Sequence, residues 1–381
     1  MRIVHVSDCY APRVGGIETQ VAGLAGAQAG RGHAVHVLTA TAGAAGGPGR
    51  YRETVDETAG VRVHRMASPV TFGVPVHPRG RALISKALRL LRPDVVHVHA
   101  GVVSPFAYDG ARAARSAGLP LAITWHCMLD GVEPAWSVGS RLLGWRDAPL
   151  AASAVSSVAA ERVGEALGRA DVTVVPNGLD LAPWREAAGR PTERTGPLRV
   201  IATQRLAPRK RAVPLVRLVA AAHEQLGRDA SGRARIRLVL AGGGPAEEQV
   251  RREIAAGDLE AVAMGRVRRE MLPTLYRDQD VFASPARLEA FGLAALEARA
   301  AGLAVVAQRG TGVEEFVTHE REGLLGSDDA QLTAALVRLA RDPDLLDRIR
   351  AHNRAQAPPM SWPEVIGRAE ELYVRARGLV G

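Results

Sequence analysis

The sequence predicts an α/β protein made of two Rossmann-like domains in tandem, with parallel sheets facing each other across a cleft. Three observations carry this. Short, continuous apolar runs rich in valine and isoleucine alternate with alanine-rich helical patterns, as parallel strands covered on both faces require. A chain of 381 residues exceeds one ordinary core and suits two domains. The alternation breaks once, at Pro176-Asn-Gly-Leu-Asp180 and the polar stretch 185–196, after which a new strand begins. The expected domains are therefore 1–180 and 181–360.

In the first domain the strands are expected at Ile3–Ser7, Ala34–Leu38, Val61–Arg65, Val95–His99, Leu121–Trp125, Ala152–Ser156 and Val172–Val175. In the second they are expected at Arg199–Thr203, Ile236–Ala241, Ala261–Met264, Val281–Ala283 and Ala304–Ala307. Residues 43–49 form a glycine- and alanine-rich loop. Near the end, Ser361-Trp-Pro-Glu364 has the spacing of a capping box. A helix through about Arg377 should follow, with Ile366, Ala369, Leu372 and Tyr373 as its apolar stripe.

The composition narrows the partners. A net charge of +9 suits anionic ligands such as nucleotide sugars or an anionic membrane surface. The charge is spread along the chain with no aromatic-studded basic stripe, so nucleic acid is not an expected partner. Of 49 basic side chains only Lys86 and Lys210 are lysines, which suggests that position 210 needs a compact ammonium. Two cysteines, Cys9 and Cys127, make no disulfide framework, and no run of ~18 apolar residues is present. A cytoplasmic protein is expected, with peripheral attachment to the inner face of the membrane open.

Open α/β sheets bind ligands at the carboxyl ends of their strands, and the chemistry-bearing residues fall there. In Glu289-Ala-Phe-Gly-Leu-Ala-Ala-Leu-Glu297 one carboxylate precedes a helix and a second lies about two turns inside it. Carboxylates accept hydrogen bonds from vicinal hydroxyls. Backbone N–H groups at Gly292 and Leu293 are free to meet a sugar or phosphate oxygen. Arg205 and Lys210, just past the first strand of the second domain, are the cationic counterpart for a diphosphate. Gly15-Gly16 lets a phosphate approach backbone N–H groups, or is simply a tight turn. His126 ends a strand facing the same cleft, and His97 and His99 share one strand face. A structural or acceptor-side role is expected for the latter two, with no metal. Gly242-Gly243-Gly244-Pro245 reads as a turn rather than a phosphate loop. Asp328-Asp329 and Asp342-Pro-Asp344 imitate a metal-binding signal but fall in helical or turn contexts.

Taken in order, the Gly15-Gly16 turn, the strand ending in His126, Val175-Pro-Asn-Gly-Leu-Asp180, Arg205 with Lys210, and Glu289 through Glu297 resemble the retaining glycosyltransferases of family 4. That resemblance implies the GT-B architecture, with the first domain on the acceptor side and the last helix, 361–381, packed back on it. It implies that Gly15, Gly16, Arg205 and Lys210 hold the donor diphosphate and that Glu297 holds the ribose. Glu289 and the backbone of Phe291, Gly292 and Leu293 would hold the donor sugar. Arg266 and Val267 would border the base, and His126 would face the reacting centre. The catalytic set would be His126, Arg205, Lys210 and Glu289, with a UDP- or GDP-sugar as donor substrate and no cofactor. Two departures stand out: Arg211 where the family often has glycine, and Gly310-Thr-Gly312 near where the family often has a Gly-Gly pair.

The expected reaction is hexosyl transfer to an acceptor hydroxyl with retention, giving an α-glycoside. The acceptor is left open between a phosphatidylinositol-type lipid or other cell-envelope carrier and a small soluble polyol phosphate or natural product. Arg79 to Arg92, basic and amphipathic, would be the lipid-facing stretch, or a helix packed on its own sheet. A nucleotide-sugar epimerase on the same scaffold is the alternative activity.

Overall fold

The computed structural model describes residues 1–13, 15–43, 53–68, 77–131, 133–142, 144–188 and 196–380. Most of the expected 43–49 loop and part of the polar stretch 185–196 lie outside the described residues. The backbone falls into two compact units: Met1–Gly178 with Met360–Gly381, and Leu179–Pro359.

The first unit is built on eight strands. They are β1 (Arg2–Ser7), β2 (Ala34–Thr39), β3 (Thr54–Thr58), β4 (Val61–Arg65), β5 (Val95–Ala100), β6 (Leu121–Trp125), β7 (Ala151–Ala154) and β8 (Thr173–Val174). Their order is β3-β4-β2-β1-β5-β6-β7-β8. All neighbours are parallel except β3 and β4. The antiparallel β3 was not expected: it is polar and largely exposed, and only the Ala59-Gly60 turn, with both residues at positive φ, marks the hairpin. Ser156, expected in a strand, instead caps the next helix by accepting from the Ala159 N–H at 3.1 Å.

The order of strand addition reverses about β1, which lies between β2 and β5. Such a switch point leaves a crevice at the strands' carboxyl ends, where Gly15 and Gly16 lie. The C-terminal helix, Trp362–Gly378, begins with the expected capping box between Ser361 and Glu364. It buries Ile366, Ala369, Leu372 and Tyr373 in one core with Ile3 and Val95. The basic stretch 79–92 forms the helix Gly80–Leu91, which buries Ile84 and Leu88 and leaves Leu90 exposed.

The second unit has six parallel strands: β9 (Leu198–Thr203), β10 (Ile236–Ala241), β11 (Glu260–Ala263), β12 (Val281–Ser284), β13 (Ala304–Gln308) and β14 (Gly323–Gly326). Their order is β11-β10-β9-β12-β13-β14, with the switch between β9 and β12. Strand β14 escaped the sequence reading because Gly-Leu-Leu-Gly is too short to show a period. No helix among the described residues is long and apolar enough to cross a membrane.

One buried carboxylate ties this second sheet together. Asp280, fully buried, accepts from the Arg199 backbone N–H at 3.0 Å and from the Arg199 guanidinium at 2.9 and 3.0 Å. The buried Arg350 adds a fourth bond at 2.8 Å from the helix Pro343–Ala355. Removing one member of such a pair leaves an uncompensated buried charge. Asp280→Ala should therefore cost this unit about 3–5 kcal/mol. A lowered urea midpoint would report it, and an unchanged midpoint would contradict the assignment.

Candidate active site

In the second unit, the segment after β9 is held by backbone-to-backbone contact with the Gly242–Gly244 turn. Leu206 N–H donates to Gly243 O at 3.1 Å, and Ala246 N–H donates to Leu206 O at 2.9 Å. A Cβ on Gly242 would lie 1.8 Å from the Gln204 carbonyl oxygen. The glycine run is therefore a close-packing turn that supports the Arg205 segment. Arg205 itself is exposed, and Arg266 is exposed with its stem against Gly243. Val267, beside Arg266, is half-buried.

Lys210 ends a short 3-10 turn, Pro208–Lys210. The next residue, Arg211, has φ of 56°, which explains why glycine would suit this position. Arg211 holds the strained conformation through a bidentate bond to Asp329 at 2.7 and 2.8 Å and a bond to Pro285 O at 3.2 Å. The Asp328-Asp329 pair is thus accounted for: Asp328 caps a helix by accepting from Gln331 N–H, and Asp329 anchors Arg211.

Lys210 Nζ donates to Glu289 Oε2 at 2.5 Å. Glu289 lies on a loop pinned by its own carbonyl, which accepts from Gly312 N–H at 2.9 Å. Gly292, at φ 90°, turns the chain into the helix Leu293–Ala300, so Glu297 is one turn inside the helix rather than two. The Phe291 side chain is buried against Phe316, leaving only its backbone for a ligand.

Glu297 is buried, and its carboxylate accepts from Arg269 at 2.6 Å. Burial pushes its pKa up from 4.5 to about 7, with Arg269 opposing the shift. Sequence reasoning missed Arg269. Its one signal was the basic run that also contains Arg266 and Arg268.

In the first unit, Gly15 is extended and precedes the helix Gly16–Gly30. The Glu18 carboxylate leans over it, so that a Cβ on Gly15 would meet Glu18 Oε2 at 2.3 Å. His126 follows β6 and shares a hydrogen bond with His99, Nε2 to Nδ1, at 3.0 Å. Its Nδ1 is buried and makes no hydrogen bond of good geometry among the described residues. Burial lowers the His126 pKa to about 4, against the opposing effect of a side-chain hydrogen bond with Asn177. Thus Arg205, Lys210, Arg266, Glu289 and Glu297 stand in one unit, and Gly15, Gly16 and His126 in the other.

The raised pKa of Glu297 has a stability sign. The folded state holds this proton more tightly than the unfolded chain, so the contribution is complete below pH 4.5 and lost as pH rises through 7. Glu297→Gln should therefore stabilise the second unit at pH 8 by about 1–3 kcal/mol and have little effect at pH 4. Thermal melts at the two pH values check it; equal shifts at both would contradict it.

Comparisons with known proteins show the family. Residues 14–183 match the Glycosyltransferase Family 4 model and residues 184–356 the Glycosyl transferases group 1 model. The chain is 31% identical to a glycogen synthase of Mycobacterium tuberculosis, over 99% of this chain and 95% of that one. It is also 31% identical to a GDP-mannose-dependent alpha-(1-6)-phosphatidylinositol monomannoside mannosyltransferase of Mycolicibacterium smegmatis, over 89% of each. Among solved structures, Anabaena HepE in complex with UDP and glucose superposes with a TM-score of 0.70 at 18% identity, over 97% of this chain and 98% of that one. With both family models matched in order and near-complete alignment to such a relative, this chain belongs to the family 4 glycosyltransferases of GT-B fold.

Proposed function

We propose that this glycosyltransferase moves a hexosyl group from a nucleotide diphosphate sugar, UDP- or GDP-linked, to an acceptor hydroxyl with retention of configuration. The single observation that carries the reading is the Lys210–Glu289 pair, with Glu297 a short helix away in the same unit. The ammonium and carboxylate that meet in the free protein match the two halves of such a donor. The phosphate draws Lys210 and Arg205, and the sugar hydroxyls donate to Glu289. Glu297 would accept from the ribose hydroxyls once Arg269 moves aside. HepE's complex with UDP and the GDP-mannose dependence of the mycobacterial mannosyltransferase support a nucleotide diphosphate donor.

In the reaction, the bond between the anomeric carbon and the diphosphate oxygen breaks, and its electron pair leaves with the diphosphate. The acceptor oxygen bonds the same face of the anomeric carbon and gives its proton to the departing phosphate oxygen. Lys210 and Arg205 stabilise the charge that builds on that phosphate. The family resemblance assigns the reacting carbon to His126.

Screening UDP-, GDP- and ADP-sugars for acceptor-dependent release of the nucleotide diphosphate tests the reading. Lys210→Ala should lower kcat by about 10²–10³-fold. The product should carry an α-linkage by NMR. Unchanged turnover in Lys210→Ala, or an inverted product, would overturn the proposal.

A second observation bears on the acceptor. The helix Gly80–Leu91 carries Arg81, Lys86 and Arg89 beside the exposed Leu90, a surface suited to anionic lipid. It favours a phosphatidylinositol-type acceptor over a soluble one. Binding to vesicles containing phosphatidylinositol, lost on vesicles of phosphatidylcholine alone, is the expected result. Equal partitioning to both would remove the lipid reading.

A further inference from the structure

The first unit hides a cluster of polar side chains that neither the family resemblance nor the proposed transfer uses. His5, His97 and His99 are fully buried, and one ring nitrogen from each lies within 4.8 Å of the others. A metal would draw histidines into such a group. Here, however, all six of their ring nitrogens already have hydrogen-bond partners. Burial lowers the pKa of His5 to about 4 and those of His97 and His99 well below 6.5, so the rings are neutral and each carries one proton. A neutral imidazole donates from one nitrogen and accepts at the other. The direction of every bond in the cluster can therefore be deduced from one end.

That end is a backbone carbonyl, which can only accept. The Ser153 hydroxyl donates its one proton to Ile123 O at 3.2 Å. Thr124 and Ser153 are 2.7 Å apart and either hydroxyl can donate; with the Ser153 proton assigned to the carbonyl, Thr124 is the donor. Thr124 must in turn accept from His97 Nε2 at 2.7 Å. His97 Nδ1 is left as an acceptor, and the Tyr373 hydroxyl donates to it at 2.8 Å. Tyr373, its proton spent, accepts from the Gln28 amide nitrogen at 2.9 Å.

The amide oxygen of Gln28 therefore faces His5 and accepts from Nε2 at 2.8 Å. His5 Nδ1 accepts from His99 Nε2 at 2.9 Å. His99 Nδ1 finally accepts from His126 Nε2 at 3.0 Å. Eight hydrogen bonds run head to tail in one direction, from His126 to the carbonyl three residues before it. They pass through β1, β5, β6, β7, the first helix and the C-terminal helix. The adjoining cavity, about 10 Å³ and lined by His97, His99, Thr124 and His126, is at the lower limit for a single water. Solvent has little room to break the order.

The geometry points to a tautomer lock: Tyr373, Gln28, His5 and His99 act as positioning residues that keep the proton of His126 on Nε2 and its Nδ1 bare. Nδ1 makes no hydrogen bond of good geometry among the described residues, and Asn177, beside the ring, is the side chain whose amide can donate to it. A bare Nδ1 accepts from a hydroxyl and cannot donate to a carbonyl or phosphate oxygen. The chain orients protons and does not conduct them, because the carboxamide of Gln28 interrupts it. What the lock does for catalysis rests on the place proposed for His126 at the reacting carbon. The lock itself does not.

The experiment is long-range proton–nitrogen NMR of the full-length chain labelled with ¹⁵N-histidine, without substrate, with His126 assigned through His126→Gln. The expected wild-type spectrum shows a single Nε2–H tautomer for His126. Tyr373→Phe frees the Gln28 amide to rotate, so that single-tautomer signature should be lost. Adding Gln28→Glu, which can only accept from His5 when ionised, should restore it at a pH above the titration of that carboxyl. An Nδ1–H or mixed tautomer in the wild type overturns the lock without need of a variant, as does an unchanged His126 signal in folded Tyr373→Phe. Because no substrate is present, failure of the transferase reading would show in the sugar screen and leave this spectrum unchanged.

Discussion

The second unit's site depends on one close approach of backbone to backbone. Gly312 lies so near the Glu289 loop that a Cβ there would come within 2.0 Å of the Ala290 carbonyl oxygen and 2.6 Å of the Phe291 Cα. With hydrogen in that place, Gly312 N–H can reach Glu289 O, and Phe291 can seat its ring against Phe316. These two attachments leave the Glu289 side chain little freedom before it meets Lys210. On the other side, Lys210 is followed at once by Arg211, whose guanidinium is tied to Pro285 and Asp329. Both partners of the pair are thus oriented by backbone contacts and neighbouring ion pairs. A site prepared in this way loses little orientational freedom when a ligand enters.

The same preparation has an electrostatic side. In the free protein each acid is matched by an internal cation, Glu289 by Lys210 and Glu297 by Arg269. Neither acid is left as an uncompensated charge, yet Arg269 is nearly half exposed and compensates Glu297 only in part. A carboxyl held near neutrality inside a helix is a poor contributor to folding. It is the kind of local conflict expected of the ribose-binding role proposed for it. Asp280 is the contrast within the same unit: equally buried, but bonded by two arginines and a backbone N–H, it is structural.

How much of this could be read from the chain alone depended on how local the signal was. Twelve continuous apolar runs located strands because a buried parallel strand declares itself within five or six residues. The hairpin strand β3 was missed because its residues are polar, and β14 because four residues carry no period. The acids and Lys210 were legible as types at the ends of strands and helices, where ligands bind. Arg269 was not, since only the fold brings it to Glu297 across 28 positions. Gly242–Gly244 was rightly read as a turn, but its partner, the Gln204 carbonyl, lies nearly forty residues earlier and gave no local sign. His97 and His99 were seen to share a strand face. Nothing local revealed Gln28, or Tyr373 from a helix more than 270 residues away.

That remoteness bears on why the first unit keeps histidines where a parallel sheet ordinarily buries aliphatic side chains. A neutral hydrogen bond contributes only about 1 kcal/mol net, whereas a buried polar group without a partner costs about 1–3 kcal/mol. A buried polar chain is therefore worth having only when it closes, and one missing member turns a modest gain into a loss. Here the chain does close, except at His126. Its members come from β1, β5, β6 and β7 as well as from the first and last helices, so it is complete only after the C-terminal segment has docked. Docking of residues 360–381 and orientation of His126 thereby become one event. The last helix contributes more than apolar cover to the sheet: through one hydroxyl, that of Tyr373, it sets the direction of every bond that leads to His126.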